Sequence, residues 1–326
     1  TDGIATTEEI AEALKTLLTD EQLWETYSKN GIMNVRRFYT WESHAETYVK
    51  NIQPLIETFN KEKTREVRPS KTAVGRRLIQ VDRFLISDID DTLIDADNQY
   101  LDTLTQWLND HRQTVGFGVA TGRHAQSAVD VIEAHNVPHP DIIIASAGTE
   151  IYYGKKLQYD QGWEAHIANR WEPEKIRNLL NEFAFLKPKE DAAQRKFKLS
   201  YYLKPGKDRL SKIHDKLSKN KCRYTLIHSD EESVDIIPYR ASKGKAVRYL
   251  SYKWETALSN FLVCGSTYND AEMLRGEPLG VVVGNHSREM AELKGVKNIY
   301  FAEKAGAGGI LEGIKKYGFL DNRIET

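Results

Sequence analysis

Cysteine is nearly absent from this chain: its 326 residues hold only Cys222 and Cys264. The two lie far apart and in no ligand spacing, which excludes a cysteine-based metal site. Both read as ordinary core or surface thiols, and a reducing, cytoplasmic compartment is the simplest fit. No apolar run approaches the ~18 residues of a bilayer-spanning helix. The N-terminus is polar and acidic, unlike a secretory leader. An excess of one charge is missing too: 46 Lys and Arg face 47 Asp and Glu, for a net −1. No broad field therefore draws the chain to nucleic acid or to an anionic membrane. The basic stretch KEKTREVRPSKTAVGRRLIQ at 61–80 lacks the interleaved aromatics of a nucleic-acid patch and reads as a solvated linker. The nine histidines are scattered without an H-x-x-x-H helix. Each reads as a surface or capping residue, His124 included.

What the chain does contain is FLISDIDDTLID at 84–95. An apolar run delivers Asp88 and Asp90 two positions apart, with Thr92 two further on. On an extended strand, residues i and i+2 share a face, with Cα atoms roughly 6–7 Å apart. Two carboxylates ~4 Å apart repel by about 4 kcal/mol at an effective dielectric of ~20. A chain that places them so needs a cation between them, and an oxygen-only pair suits Mg²⁺.

The D-x-D-x-T pattern resembles the first motif of haloacid dehalogenase-type phosphatases. Three further segments stand in that family's order. VATGR (119–123) resembles the second motif, SKGKAVRYL (242–250) the third and FLVCGSTYNDAEML (261–274) the fourth. The resemblance implies Asp88 as a nucleophile that forms an aspartyl-phosphate, and Asp90 as general acid and then base. It implies Thr121, Gly122, Lys243 and Asn269 around the phosphate. It also implies Mg²⁺ at Asp88, at Asp90 through its backbone carbonyl, at Asp270 and at position 266. The fourth motif usually reads G-D-x-x-N-D, and here its first acid is Ser266. Serine can ligate Mg²⁺ but brings no charge. Two consequences stay open: Asp270 and water compensate, or the domain is phosphatase-like with weak or no activity.

Length allows about two domains. Apolar runs at 84–86, 115–120, 142–145, 261–264, 279–283 and 299–301 alternate with helical stretches such as 124–135 and 286–294. That order predicts a parallel sheet wound on both faces, with chemistry outside the carboxyl ends of its strands. Residues 154–240 interrupt it with helix-like IRNLLNEF and RLSKIHDKL and strand-like KFKLSYYLK and YTLIHSDEESVDIIP. The fold class is thus α/β: a doubly wound, haloacid dehalogenase-like core with an α+β cap inserted between the second and third motifs, plus N-terminal helices. The expected parts are 1–62 helical tail, 63–80 linker, 81–153 and 241–326 core, and 154–240 cap. Within the tail, TTEEIAEALKTLL reads as a capped helix, and the helices after it as broken near Asn30-Gly31. The chain opens on Thr1 and is expected to be a piece of a longer polypeptide.

Substrate class rests on resemblance. IIIASAGTEIYYG (142–154) resembles the loop after the third strand of sucrose-phosphate phosphatases. SDEESVDIIPYRASKGKAVRYL (229–250) resembles their cap-to-core return, and FAEKAGAGGILEGIKKYGFL (301–320) their closing Gly-rich segment and last helix. Trp24, Asn30-Gly31, Phe38, Trp41, His44 and Tyr48 could be read as core packing by spacing alone. Their order resembles the C-terminal end of the glycosyltransferase part of sucrose-phosphate synthase. The implied activity is Mg²⁺-dependent hydrolysis of sucrose 6-phosphate beside a synthase partner, with no nucleic acid or membrane involved. Gly148, Thr149, Glu150, Lys198, Ser200 and Asp235 are the candidate sugar contacts. Trp163, Tyr201 and Tyr202 are on offer as a stacking face. The rival readings are a non-catalytic module that binds sucrose phosphate or regulates the synthase, and a phosphatase for another sugar phosphate.

Overall fold

A computed structural model describes residues 7–42, 45–46, 48–53, 73–229 and 232–320. The chain divides into two units, Thr1–Pro69 and Ser70–Thr326.

In the first unit, α1 (Thr7–Thr19) is followed by α2 (Glu21–Phe38), and helical residues recur at 48–53. Asp20 starts α2 by accepting the Leu23 amide at 2.9 Å, a side-chain cap for an otherwise orphaned donor. The helix continues through Asn30 and Gly31, where the sequence pattern predicts a break. An interior glycine costs a helix only about 1 kcal/mol, and Gly31 stands in open space with no neighbour to punish or require it. No residue of α1 is buried. Trp24, Trp41 and Tyr48 are likewise exposed, so these aromatics are not the core that their spacing allows. His44 and residues 54–72 lie outside the described residues.

In the second unit the chain runs α3 (Ala73–Leu78), β1 (Arg83–Ser87), α4 (Leu101–Asp110), β2 (Val115–Ala120), α5 (Ala125–Ala134), β3 (Ile142–Ala145), β4 (Glu150–Tyr153) and β5 (Gln158–Tyr159). It continues through α6 (Gln161–Ile167), α7 (Pro173–Leu180), β6 (Leu186–Pro188), β7 (Leu199–Leu203), α8 (Arg209–Lys219), β8 (Tyr224–Ser229) and β9 (Ser233–Pro238). It closes with α9 (Lys243–Lys253), β10 (Phe261–Gly265), α10 (Ala271–Leu274), β11 (Leu279–Val282), β12 (Ile299–Phe301) and α11 (Gly306–Lys316). Helix α3 changes one expectation. Its Leu78 is buried and its Arg77 pairs with Asp141 at 2.7 Å, so the end of the supposed solvated linker is packed structure.

The main sheet has the order β12-β11-β10-β1-β2-β3-β4-β5. The strands from β12 to β3 pair in parallel, and β4 and β5 add antiparallel edges. Each apolar run named from the sequence is a strand of this sheet. Alternation on β1 explains the double winding: Phe84 and Ile86 enter one hydrophobic layer and Leu85 the other. Both layers are buried, which is why the runs are continuously apolar. The stretch 286–294 is not an α-helix but a 3-10 run over Arg288–Leu293. Its two buried residues, Met290 and Leu293, are three apart, the repeat that a 3-10 turn puts on one side.

Residues between β5 and α9 build a second, antiparallel sheet, β6-β7-β9-β8. Ile176 and Leu180 of α7 and Ile213 and Leu217 of α8 pack on it with Leu199, Val234 and Ile236, a core of its own. The insertion thus carries its own stabilising apolar surface. Among the described residues, no helix is long and apolar enough to cross a membrane.

Candidate active site

Strand β1 lies between β10 and β2, so the loops leaving those three strands share one edge of the sheet. In an open α/β sheet that edge is where ligands bind. Asp88 follows β1 directly, its amide bonded to the Cys264 carbonyl of β10 at 2.9 Å. Lys243 begins α9, a helix capped by Ser242 through the Lys245 amide at 3.0 Å. Its Nζ lies 2.9 Å from Asp88 Oδ1 and 2.7 Å from Asp270 Oδ1. All three groups are nearly closed to solvent, at 6% exposure for Asp88, 6% for Lys243 and 0% for Asp270. One lysine therefore serves two buried carboxylates, and with both acids ionised the array would carry one net negative charge.

That excess has a consequence for Asp88. Burial, and then the charge of Asp270, push its carboxyl up to about 7, against the pull of Lys243 and the Ile89 amide. Burial lowers Lys243, but Asp270 and Asp88 outweigh it and hold the ammonium above its ordinary range. The Lys243 side chain stays charged, while Asp88 lacks a full counter-charge. Asp270 is committed: its other oxygen accepts the amides of Ser266 and Thr267, each at 3.1 Å.

Asp90 sits differently. Its side chain is half exposed and held by Arg123, at 2.7 Å from Nη2 and 2.9 Å from Nε. Arg123 stands in the VATGR segment, yet the sequence assigns it no role. A guanidinium fork on a carboxylate two residues from Asp88 is legible only once β1 and β2 are paired. Thr121 is buried, and its hydroxyl accepts the Arg123 amide at 3.1 Å. Ser266 Oγ lies 3.5 Å from the Asp90 carbonyl.

These oxygens can be tested against Mg²⁺. Among the described residues, no three His, Cys, Asp or Glu side chains converge on one point. Asp270, expected on the cation, instead has Oδ1 on Lys243 and Oδ2 on the Ser266 and Thr267 amides, so a cation would rest on the Asp88 carboxylate, the Asp90 carbonyl and the Ser266 hydroxyl. All are hard oxygen donors, and Mg²⁺ binds through one or two carboxylates while keeping waters and substrate phosphate in its shell. The set fits Mg²⁺, with Asp88 supplying its charge.

A cavity of about 850 Å³ lies between this edge and the insertion. It is lined by Gly122, Ala147, Ser242, Lys243, Thr267, Tyr268, Asn269 and Arg275 on the core side and by Thr225–His228 and Asp235 from β8 and β9. Of the expected sugar contacts, Asp235 lines it. Lys198 pairs with Asp235 at 3.2 Å and reaches the Gly122 carbonyl at 3.4 Å, tying insertion to core. Thr149 is turned inward onto the Ser146 carbonyl, and Ser200 onto the Ala193 carbonyl. Glu150 accepts Ser146 Oγ at 3.1 Å. The loop 146–148 itself is left-handed at Ser146, Ala147 and Gly148. At Gly148 a Cβ would sit 2.2 Å from the Ser242 carbonyl carbon, so only glycine lets this loop press on the start of α9.

The expected aromatic stacking face does not form. Trp163 and Tyr201 are buried in separate cores, and Trp163 Nε1 donates to the Gly148 carbonyl at 3.1 Å. Neither offers a stacking face. Tyr202 is exposed and outside the cavity lining, whereas Tyr268, not singled out in the sequence, is part of that lining. His124 caps α5 by accepting the Ser127 amide at 3.2 Å, as expected of it.

A family model described as sucrose-6F-phosphate phosphohydrolase matches residues 81–318. Sucrose-phosphatase 1 of Nicotiana tabacum is 29% identical over 253 residues, 73% of this chain and 60% of the tobacco protein. A mannosylfructose-phosphate phosphatase of Agrobacterium fabrum is 27% identical over 72% of this chain and 97% of its own length. Among solved structures, the sucrose-phosphatase of Synechocystis sp. PCC6803 in complex with sucrose and phosphate superposes with a TM-score of 0.69. It is 30% identical, over 74% of this chain and all of that one. The chain spans about 60% of the length of the tobacco relative it matches.

Proposed function

The chain belongs to the sucrose-6F-phosphate phosphohydrolase family, and from that premise we propose that it hydrolyses sucrose 6-phosphate to sucrose and phosphate. The observation that carries the reading is the buried Asp88–Lys243–Asp270 array, whose Lys243 reaches the lining of a cavity between core and insertion large enough for a disaccharide phosphate.

Phosphate monoesters resist attack because the anion repels nucleophiles, so a site must neutralise the phosphoryl oxygens and fix an in-line nucleophile. Asp88 Oδ attacks phosphorus and forms an aspartyl-phosphate. Asp90 gives a proton to the leaving sugar oxygen and later takes one from the attacking water. For that it must leave its fork with Arg123 in part. Lys243 holds one phosphoryl oxygen, with Thr121, the Gly122 backbone and Asn269 disposed around the others. Asp270 keeps Lys243 charged and aimed. Bound Mg²⁺, held by Asp88, the Asp90 carbonyl and the Ser266 hydroxyl, supplies further neutralisation of the phosphoryl charge. The sugar rests between Asp235, held by Lys198, on the insertion and Gly122, Ala147 and Tyr268 on the core.

The family match begins at residue 81; for residues 1–62 we propose, on the resemblance of Trp24, Asn30-Gly31, Phe38, Trp41, His44 and Tyr48 alone, the end of a synthase glycosyltransferase, which would put the hydrolase beside the enzyme that makes its substrate. The apolar residues exposed on α1 and α2 support a partner there. Cys222 and Cys264 are both unpaired, which suits the cytoplasm. Two other readings each have an observation behind them. Ser266, in place of an acid, favours a non-catalytic module that binds the sugar phosphate. The likeness to nearly all of a mannosylfructose-phosphate phosphatase favours another sugar phosphate.

The test is phosphate release from sucrose 6-phosphate with Mg²⁺, by this chain and by Asp88→Asn and Ser266→Asp. Turnover that vanishes in Asp88→Asn, and that needs less Mg²⁺ in Ser266→Asp, supports the proposal. Release by Ser266→Asp alone selects the non-catalytic module. Release from mannosylfructose phosphate and not from sucrose 6-phosphate selects the other substrate.

A further inference from the structure

The Gly-rich segment AGAGG at 305–309 and the Asn285 side chain take no part in the chemistry above, yet both meet the turn that carries it. Asn285 Nδ2 donates to the Asp91 carbonyl at 2.8 Å, and its Oδ1 accepts the Gly306 amide at 3.0 Å. A carbonyl can only accept and an amide N–H only donate, so the two partners fix which way the Asn285 amide faces. Asp91 follows Asp90 and adopts a left-handed conformation, φ 54°, which costs a non-glycine residue of order 1–3 kcal/mol and persists only where the surroundings impose it. At Gly306, φ is 50° and a Cβ would stand 2.2 Å from Asp95 Oδ2. The start of α11 is thus a bare surface on which the turn from Asp88 to Asp95 leans, and Asn285 is the bolt between them.

We infer that Asn285 is a positioning residue: it holds the left-handed turn at Asp91 and so sets the reach of Asp88 and Asp90 toward a phosphate. The inference rests on the phosphoryl-transfer reading, so the test has one arm that does not need activity. Asn285 is exposed, so its variants open no cavity in the core. Asn285→Asp keeps the acceptor for Gly306 but loses the donor to Asp91, while Asn285→Ala loses both. With p-nitrophenyl phosphate and with sucrose 6-phosphate, both variants lower kcat by about 10- to 100-fold, the scale of a displaced reacting group, and leave KM nearly unchanged. Hydrogen exchange followed by mass spectrometry shows faster exchange across 91–95 in both. Across α11, exchange is faster in Asn285→Ala alone. If Asn285→Asp matches the parent in kcat and in exchange across 91–95, Asn285 merely fastens α11 and the inference is wrong. A parent without activity that still shows the exchange difference leaves the inference standing and overturns the hydrolase reading instead.

Discussion

Helix α9 carries a lysine at each end, and each lysine holds a buried aspartate. At its start, Lys243 meets Asp88 and Asp270. At its end, Lys253 meets Asp160 at 2.6 Å. Asp160 has every lone pair spoken for: Tyr153 and Lys253 on one oxygen, Tyr249 and the Trp163 amide on the other. Burial pushes its carboxyl up, but the bonds from Lys253, Tyr153 and Trp163 win and hold it below the usual carboxylate range. Lys253 is itself covered by the rings of Tyr153 and Tyr249, 4.9 and 5.6 Å away, a favourable seat for a cation. Asp88 has one side-chain partner, shares it with a second acid, and is pushed the opposite way. The same pair of residue types is closed at one end of the helix and unfinished at the other. A closed pair stabilises the fold, whereas an unfinished one retains affinity for an incoming charge.

The comparison is tested most severely by removing the carboxylate charge at each end. Asp88→Asn should lower phosphate release by about 10⁴-fold or more, as loss of a nucleophile does, with unchanged far-UV circular dichroism. Asp160→Asn should retain nearly full kcat. If both variants lost activity alike, the two ends would not differ in kind. Removal of the lysines comes next. Lys243→Met strands two buried carboxylates, a loss of about 3–5 kcal/mol in urea denaturation, together with activity. Lys253→Met gives up charge-assisted bonds worth about 2 kcal/mol, leaves kcat alone, and separates stability from chemistry on one helix.

Much of the first end was legible in the sequence, because each of its groups stands where an apolar strand stops or a capped helix starts. Asp88, Thr121 and Asp270 follow β1, β2 and β10 closely; strand alternation singles out Asp88, while Thr121 and Asp270 are singled out by the resemblance of their segments to the family's motifs. The second end was not legible. Asp160 and Lys253 are 93 residues apart, and nothing in either neighbourhood marks them as a pair. Asn285 was missed for the same reason, since its partners Asp91 and Gly306 meet it only across the folded sheet. The loop 146–150 shows a different gap. Gly148 and Thr149 were found by resemblance, but their side of the loop faces backbone, a matter of three left-handed residues that composition does not predict. The break expected at Gly31 failed because a residue permitted to end a helix need not do so.

The smallest effect concerns acid. Because Asp160 has its folded-state carboxyl below the ordinary value, it binds a proton less readily in the folded chain than in the unfolded one. Its stabilisation is fully present above the unfolded carboxylate value of about 3.9 and is lost as pH falls through the lower folded value. Asp160→Asn cannot titrate, so at pH 7 it should be less stable than the parent by about 1–2 kcal/mol. That gap should narrow as pH drops below about 4. Urea midpoints for both proteins between pH 7 and pH 3 measure this directly. A gap that keeps its size across the range would mean that Asp160 acts through shape and hydrogen bonding alone. The two ends of α9 would then differ in how many partners each carboxylate has, but not in how folding treats its charge.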